Sequence, residues 1–251
     1  MDVRRAVHGD AGAIHRICRG IYPRGDYAED MLGVWTDCDS LYVAEDGRIV
    51  GMFAISLRGK TAWLQGSRID ESLQGAGLGT MMYGMAEKIA LDLGAHRMSA
   101  FAGSERGLGM LKKMKYYNEQ RVDAYVLGDG SSPCWEGFGD VERAENMQGQ
   151  YLDSWTLQSL DSADEIIRGD DVTVRIAGSG CPGTSLTVLD SGASGIANLA
   201  RYISARTPGG RPQYRWWRHL VVLCIDGSKE PFADAGFCAV GSYPIMTKSL
   251  K

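Results

Sequence analysis

The segment "LYVAEDGRIVGMFAISLRG" (Leu41 to Gly59) is apolar on both sides of an Asp46-Gly47 pair, which predicts two strands joined by a tight hairpin. "TAWLQGSRID" (Thr61 to Asp70) predicts a third strand. From residue 79 to 93 the apolar spacing changes to a helical one, with Met82, Met85, Ala86, Ile89 and Leu93 on one face. Gly94 is placed to stop that helix. "HRMSAFAG" (His96 to Gly103) predicts a strand, residues 106–116 a short helix, and "QRVDAYVLGD" (Gln120 to Asp129) a further strand.

Beyond residue 129 the pattern weakens. Residues 130–150 are glycine-rich and polar and read as a linker. Residues 151–167 read as helical, "DVTVRIAG" and "SLTVLD" as strands, and "SGIANLARYISAR" (Ser194 to Arg206) as an amphipathic helix. "RHLVVLCID" (Arg218 to Asp226) reads as a buried strand and "CAVGSYPIMTK" (Cys238 to Lys248) as the last one. There is no close sequence repeat. The alternation of strand and helix predicts a mixed α/β chain in two lobes, with residues 1–128, a 129–150 connection and residues 151–251.

Composition removes several functions. A formal net charge of −4 argues against general attraction to nucleic acid or to an anionic membrane. No apolar run approaches the roughly 18 residues of a membrane helix, and the opening Met-Asp-Val-Arg-Arg lacks a signal peptide's apolar core. The six cysteines are scattered without a C-x-x-C pair, and the four histidines lack ligand spacing. Reduced thiols in a cytoplasmic, metal-free protein are therefore expected. "RPQYRWWRH" (Arg211 to His219) interleaves aromatics and cations, but an amphipathic strand entrance explains it better than a nucleic-acid patch. His8, His15 and His96 read as structural.

The densest chemistry lies in "IDESLQGAGLGTMMYGMAEKIA" (Ile69 to Ala90), where Gly75, Gly77 and Gly79 fall between a strand and a helix. Unpaired amides and the helix dipole make such a turn an anion site, and glycine keeps side chains out of the way. A nucleotide P-loop requires lysine after the last glycine, where Thr80 and Met81 stand. A dinucleotide fingerprint requires glycine at 80 or 82, which are threonine and methionine. The template Q/R-x-x-G-x-G/A is met by Gln74, Gly77 and Gly79.

That motif, with its strand, loop, helix, strand and short helix, resembles the GNAT superfamily of acyl-CoA-dependent N-acetyltransferases over residues 3–128. The resemblance implies a mixed, mostly antiparallel splayed sheet flanked by helices. It implies that amides of Gln74, Gly75, Ala76, Gly77, Leu78, Gly79 and Thr80 wrap the pyrophosphate of acetyl-CoA as cosubstrate. It implies that β-edge backbone at Ser67, Arg68 and Ile69 pairs with the pantetheine arm, and that the thioester lies near Gln65 and Gly66, where a backbone N–H stabilises the oxyanion. The lysines of "MLKKMKYYN" read as a solvated helix face, although the resemblance permits one of them to meet the CoA 3′-phosphate. "GIYPRGDYAEDMLGVW" (Gly20 to Trp35), "LKK" and, more loosely, "TVLD" and the "LVVLCIDGSKEPFADAGF" tail resemble the two-lobed, histidine N-acetyltransferase-like branch, whose second lobe is a reduced, CoA-free copy of the first.

The chain departs from the family pattern at two places. Gln65 stands where many members carry a glutamate base, and Leu111 where many carry a tyrosine acid, so catalytic residues remain unknown. An α-amine, at pKa ~7.7–8.0 for a chain terminus, needs only a modest base. For the acceptor, Asp26 or Asp190 is expected to pair with the ammonium and Tyr27 to orient it, with Tyr22 and Gln65 beside them. Two other readings share these residues: a CoA-binding protein without chemistry, and a protein or peptide N-acetyltransferase. The expected assembly is a monomer or homodimer.

Overall fold

The computed structural model describes residues 1–19, 21–22, 26–127, 141–145, 147–153, 156–160, 164–169, 171–177, 185–192, 194–202, 221–225, 227 and 230–251. They divide into two units, Met1–Glu119 with Pro244–Lys251, and Gln120–Tyr243.

In the first unit β1 (Asp2–Arg5), β2 (Leu41–Glu45), β3 (Ile49–Arg58) and β4 (Thr61–Ile69) form an antiparallel series. α1 (Ala11–Arg19) and α2 (Tyr27–Asp37) connect β1 to β2. α3 (Leu78–Asp92) crosses from β4 to β5 (Arg97–Phe101), which lies parallel to β4. α4 (Glu105–Lys113) follows. Residues 245–249 of the C-terminal strand then pair antiparallel with β5. The expected hairpin turns on Gly47 at φ 69°, the left-handed conformation that Asp-Gly turns require.

Helical spacing accounts for what each helix buries. α1 buries Ile14, Ile17 and Cys18, and α2 buries Ala28, Met31, Leu32 and Trp35. α3 buries Met82, Tyr83, Ala86 and Ala90 against β3 Phe53, β4 Leu64 and β5 Met98 and Ala100. The expected face was rotated too far: Leu93 follows the helix as its C-cap and is exposed, while Tyr83 and Ala90 take the inner positions. A helix ended by Gly94 at φ 83° loses its last turn to solvent.

The C-terminal strand is tied in by polar contacts as well as by its ladder. Thr247, fully buried on that strand, shares a 2.8 Å hydroxyl bond with β5 Ser99 and donates to Glu119 at 2.6 Å. Lys248 donates to both Glu87 oxygens at 2.7 Å, and Tyr116 donates to the same carboxylate at 3.0 Å.

The second unit begins within β6 (Tyr117–Leu127), whose residues 122–125 pair with β13 (Val221–Ile225). Before β13 come β7 (Val141–Arg143), the hairpin β8 (Gln150–Asp153) and β9 (Thr156–Ser159), β10 (Glu165–Gly169), β11 (Val172–Ala177), β12 (Ser185–Ser191) and α5 (Gly195–Tyr202). After it come α6 (Glu230–Asp234) and β14 (Phe237–Ser249). Its core gathers Val174, Leu186, Val222, Ile196 and Leu199, with Tyr125 stacked on Phe232 at 4.0 Å.

Three expectations change. Residues 151–167 are not helical: their described part forms β8, β9 and the start of β10. Residues 141–143, read as linker, pair with β10, so the connection contributes to the sheet; 128–140 lie outside the described residues, as does "RPQYRWWRH". The division between lobes also differs, because the last eight residues return to the first unit.

The two units repeat one topology. The first unit's strand order is β1-β2-β3-β4-β5 with the C-terminal strand at its end; the second unit's is β7-β10-β11-β12-β13 with β6 at its end. Each has an antiparallel series, a crossover helix, one parallel pair and a closing antiparallel strand. The closing strands are exchanged in chain order. In the second unit α5 and α6 are shorter than α3 and α4.

Thr247→Val is expected to destabilise the full chain by about 1–3 kcal/mol, because Ser99 and Glu119 each lose a partner in a place closed to water. Denaturant unfolding followed by circular dichroism measures it.

Candidate active site

The site grows from an irregularity in β4. Its pairing with β3 runs in register to Gln65↔Ala54 and resumes at Arg68↔Met52, so Gly66 and Ser67 oppose the single residue Phe53. This is a β-bulge, which bends the strand and re-aims its groups. Pairing with β5 stops just before it, at Leu64↔Ala100, so the two parallel strands part from residue 65 onward.

Only glycine fits at 66. Its φ is +56°, and a Cβ there would lie 2.5 Å from the Trp35 ring. Trp35 comes from α2 and packs edge-on against Tyr27 at 6.0 Å. Tyr27, half-buried at the start of α2, accepts the Gly66 N–H at 3.0 Å through its hydroxyl. The amide expected to serve an oxyanion is therefore bonded to a side-chain hydroxyl.

The next residue inward is Arg68, and it meets Asp26. Arg68 Nε and Nη2 donate to the two Asp26 oxygens at 2.6 Å each, with both side chains buried. Asp26 also caps α2, accepting from the Ala28 amide at 3.0 Å. Nη1 of Arg68 donates to the Ser67 carbonyl at 2.9 Å. The guanidinium lies over the rings of Tyr22 at 4.9 Å and Tyr27 at 5.6 Å. Burial alone would lower the arginine's pKa, but the Asp26 hydrogen bonds and charge outweigh it and hold Arg68 above its ordinary value.

This geometry changes the role of Asp26. Both oxygens serve Arg68, so it is a positioning residue of the protein rather than a partner for a substrate ammonium. Asp190 is an exposed residue of β12 in the second unit. Gln65 is buried, and Tyr22 is exposed over the Arg68 pair. Sequence reasoning named Arg68 for its backbone and missed its side chain. The signal was present as a cation in an apolar strand, but its partner lies 42 positions away.

The glycine loop follows β4. Gln74 is held from both ends, donating to Ile69 O at 3.3 Å and accepting from Arg106 of α4 at 2.8 Å. Gly75 and Gly77 take φ of 91° and 83°, with open space where a Cβ would stand. Gly79 faces Met110 of α4, whose sulfur would lie 3.1 Å from a Cβ. No main-chain amide from Gly75 to Thr80 has a backbone acceptor among the described residues. Residues 74–77 and 80 are exposed. A run of open donors at the N-terminus of a 15-residue helix fits a diphosphate.

Other candidate acids and bases are occupied. Leu111 is fully buried in the core. Tyr116 is tied to Glu87 and raised far above its usual value by burial first and the carboxylate second. Tyr83, buried on α3, is raised by burial against an opposing pull from Ser67 and the Arg68 charge. Cys18 lies 3.8 Å from the Met52 sulfur and is pushed up to about 12 by burial and the Asp26 charge, so it is a thiol, not a nucleophile. No cluster of three or more metal-ligating side chains occurs among the described residues, and no helix among them is long and apolar enough to cross a membrane.

Residues 12–116 match the model of the acetyltransferase (GNAT) family. Over those residues the chain carries an acetyltransferase domain, the class of enzyme that this match indicates. Solved structures share the fold along its whole length. A protein from Thermoplasma acidophilum named as an acetyltransferase aligns with a TM-score of 0.66 at 16% identity, over 99% of this chain and 100% of its own. A GCN5-related N-acetyltransferase from Sphaerobacter thermophilus aligns at 0.64 and 14%, over 100% and 96%. An acetyltransferase-named protein from Pyrococcus horikoshii aligns at 0.57 and 15%, over 100% and 89%. No curated protein matched the sequence.

Arg68→Met leaves the Asp26 charge buried alone and is expected to cost about 3–5 kcal/mol, while Asp26→Leu combined with Arg68→Met costs less than the sum of the single changes. A denaturant double-mutant cycle reads both.

Proposed function

We propose that the first unit binds acetyl-CoA through residues 74–80 and transfers its acetyl group directly to the primary amine of a small molecule, an amino acid such as histidine being the first candidate. The observation that carries the reading is the exposed turn at the start of α3, with two left-handed glycines and open amides. The parting of β4 from β5 supports it, since residues 65–69 then offer an unpaired edge to an extended pantetheine arm. The reading places the thioester against Gln65 and Gly66. Its likeness to the histidine N-acetyltransferase-like branch rests on Gly20–Trp35 and on the two-unit topology.

The reaction is a single displacement. The amine attacks in its neutral form, the C–S bond breaks, and no acyl-enzyme forms on Cys18, whose thiol stays protonated. Gln65 supplies no strong base, which suits an acceptor of modest pKa. Asp26 is engaged with Arg68, so acceptor recognition falls to Tyr22, Gln65 and residues near them.

Thiol release from acetyl-CoA across a panel of free amino acids and simple amines tests the reading. Amine-dependent release is expected. Tight acetyl-CoA binding with no release points instead to a binding protein, and release with peptide N-termini alone points to a peptide acetyltransferase. Gly77→Asp is expected to weaken acetyl-CoA binding by about 100-fold or more, through charge repulsion at the diphosphate, while the melting profile stays close to wild type.

A further inference from the structure

A cation stands beside the glycine turn without a role in the acetyl-CoA reading. Arg106, exposed in the first turn of α4, donates from Nη1 to Gln74 Oε1 at 2.8 Å. That partner is a neutral amide. Arg4, Arg48, Arg68 and Arg97 of the same unit each reach a carboxylate within 3.0 Å, whereas Arg106 has no ion pair among the described residues. Glu105 adjoins it in sequence and Glu71 stands three positions before Gln74, yet neither takes the charge.

The placement of α4 aims this cation at the turn. Met110, one helical turn beyond Arg106, shares its face of α4, and the Met110 sulfur lies 3.1 Å from where a Gly79 Cβ would stand. One face of α4 therefore runs beside the turn, touching it at residue 79 and again at residue 74. Ser104 caps the helix by accepting the Gly107 amide at 3.1 Å, so Arg106 projects from an ordered first turn.

Helix stability gives no reason for an arginine at this position. The positive end of the dipole favours an acid such as Glu105 and disfavours a cation. Phosphate recognition does give a reason. A guanidinium bonds an anion about twice as strongly as neutral groups bond one another, and its planar fork matches two phosphate oxygens. The Gln74 contact is therefore one that a phosphate displaces.

We infer that Arg106 is a diphosphate-binding residue of the first unit, its guanidinium passing from Gln74 Oε1 to the phosphate oxygens of the cosubstrate. The open amides of residues 75–80 then act from the turn and Arg106 acts from α4. The exchange requires only a rotamer change of an exposed side chain, which is fast beside any turnover. It also makes the nucleotide end of the donor matter, because a thioester on pantetheine alone carries no phosphate for Arg106. This inference rests on the reading of residues 74–80 as the acetyl-CoA site and adds to it a side chain from a different element.

Calorimetric titration of the full chain with acetyl-CoA, and with its 3′-dephospho form that keeps the diphosphate, tests the assignment. Arg106→Gln is expected to weaken both ligands by the same factor, about 10-fold or more, with the melting profile of the wild type. In a Gln74→Leu background the same Arg106→Gln change is expected to cost that factor again. Equal affinity of wild type and Arg106→Gln for acetyl-CoA overturns the assignment. So does a loss confined to acetyl-CoA, which puts the guanidinium on the 3′-phosphate. A loss that vanishes in the Gln74→Leu background also overturns it, since Arg106 then serves only to hold Gln74. Arg106→Met, which keeps the aliphatic stem, supplies the same comparisons if the glutamine variant melts early. Wild-type protein that binds no acetyl-CoA overturns the reading of residues 74–80 itself, an outcome distinct from the other three.

Discussion

The two residues that β4 sets against Phe53 govern the site. An in-register strand would continue its ladder beside β5 and turn Arg68 to the opposite face. The bulge instead ends the β4–β5 pairing after Leu64, gives Gly66 a conformation only glycine holds comfortably, and directs Arg68 into the interior toward Asp26. One irregular step therefore creates the opening, the amide that meets Tyr27 and the buried cation together. Trp35 covers the spot that any Cβ at residue 66 would claim, so the bulge and the start of α2 are mutually dependent.

The buried ion pair follows from that constraint. Bringing a guanidinium and a carboxylate out of water costs several kcal/mol per ion, and an apolar pair of similar volume is often as stable. Stability alone gives little reason for Asp26 and Arg68. What the pair adds is position. Asp26 caps α2 and Arg68 belongs to β4, so two bonds of 2.6 Å fix the helix start to the bulge and set the Tyr27 hydroxyl on the Gly66 amide. Screening by water would loosen an exposed pair, whereas this one is closed off and flanked by two tyrosine rings.

Local chemistry was readable in the residue order, and long-range pairing was not. The Asp46-Gly47 hairpin, the strand before the glycines, the length of α3 and its Gly94 stop follow from turn preference and periodicity, and the structure has them. The glycine loop was legible because positive φ and close approach leave a compositional mark. The partner of Asp26 was hidden, since the N-cap role explains an aspartate at that position without any need for an arginine 42 residues on. Residues 151–167 misled because a polar, weakly periodic stretch takes its structure from its neighbours: β10 exists by pairing with β7 and β11. The exchange of closing strands left no mark, as an apolar strand reads alike whichever sheet receives it.

The repeat lets the glycine turn be compared with its counterpart. In the first unit the crossover helix begins after Gly75 and Gly77, with main-chain donors left open. In the second, the turn between β12 and α5 is closed by the protein's own acid. Asp171 accepts from the Ser194 amide and hydroxyl at 2.8 Å each, and its carbonyl accepts from Gly192 N at 2.9 Å. The Ser194 amide, then its hydroxyl, hold the Asp171 carboxyl below its ordinary value, as expected for an anion at a helix start. Gly192 and Gly195 leave no room for a Cβ, since Asp171 already fills that space. Glycine thus serves opposite ends in the two copies: it admits an internal carboxylate in one and keeps the donors bare in the other. The second turn thus has its anion supplied from within, whereas the first presents open donors.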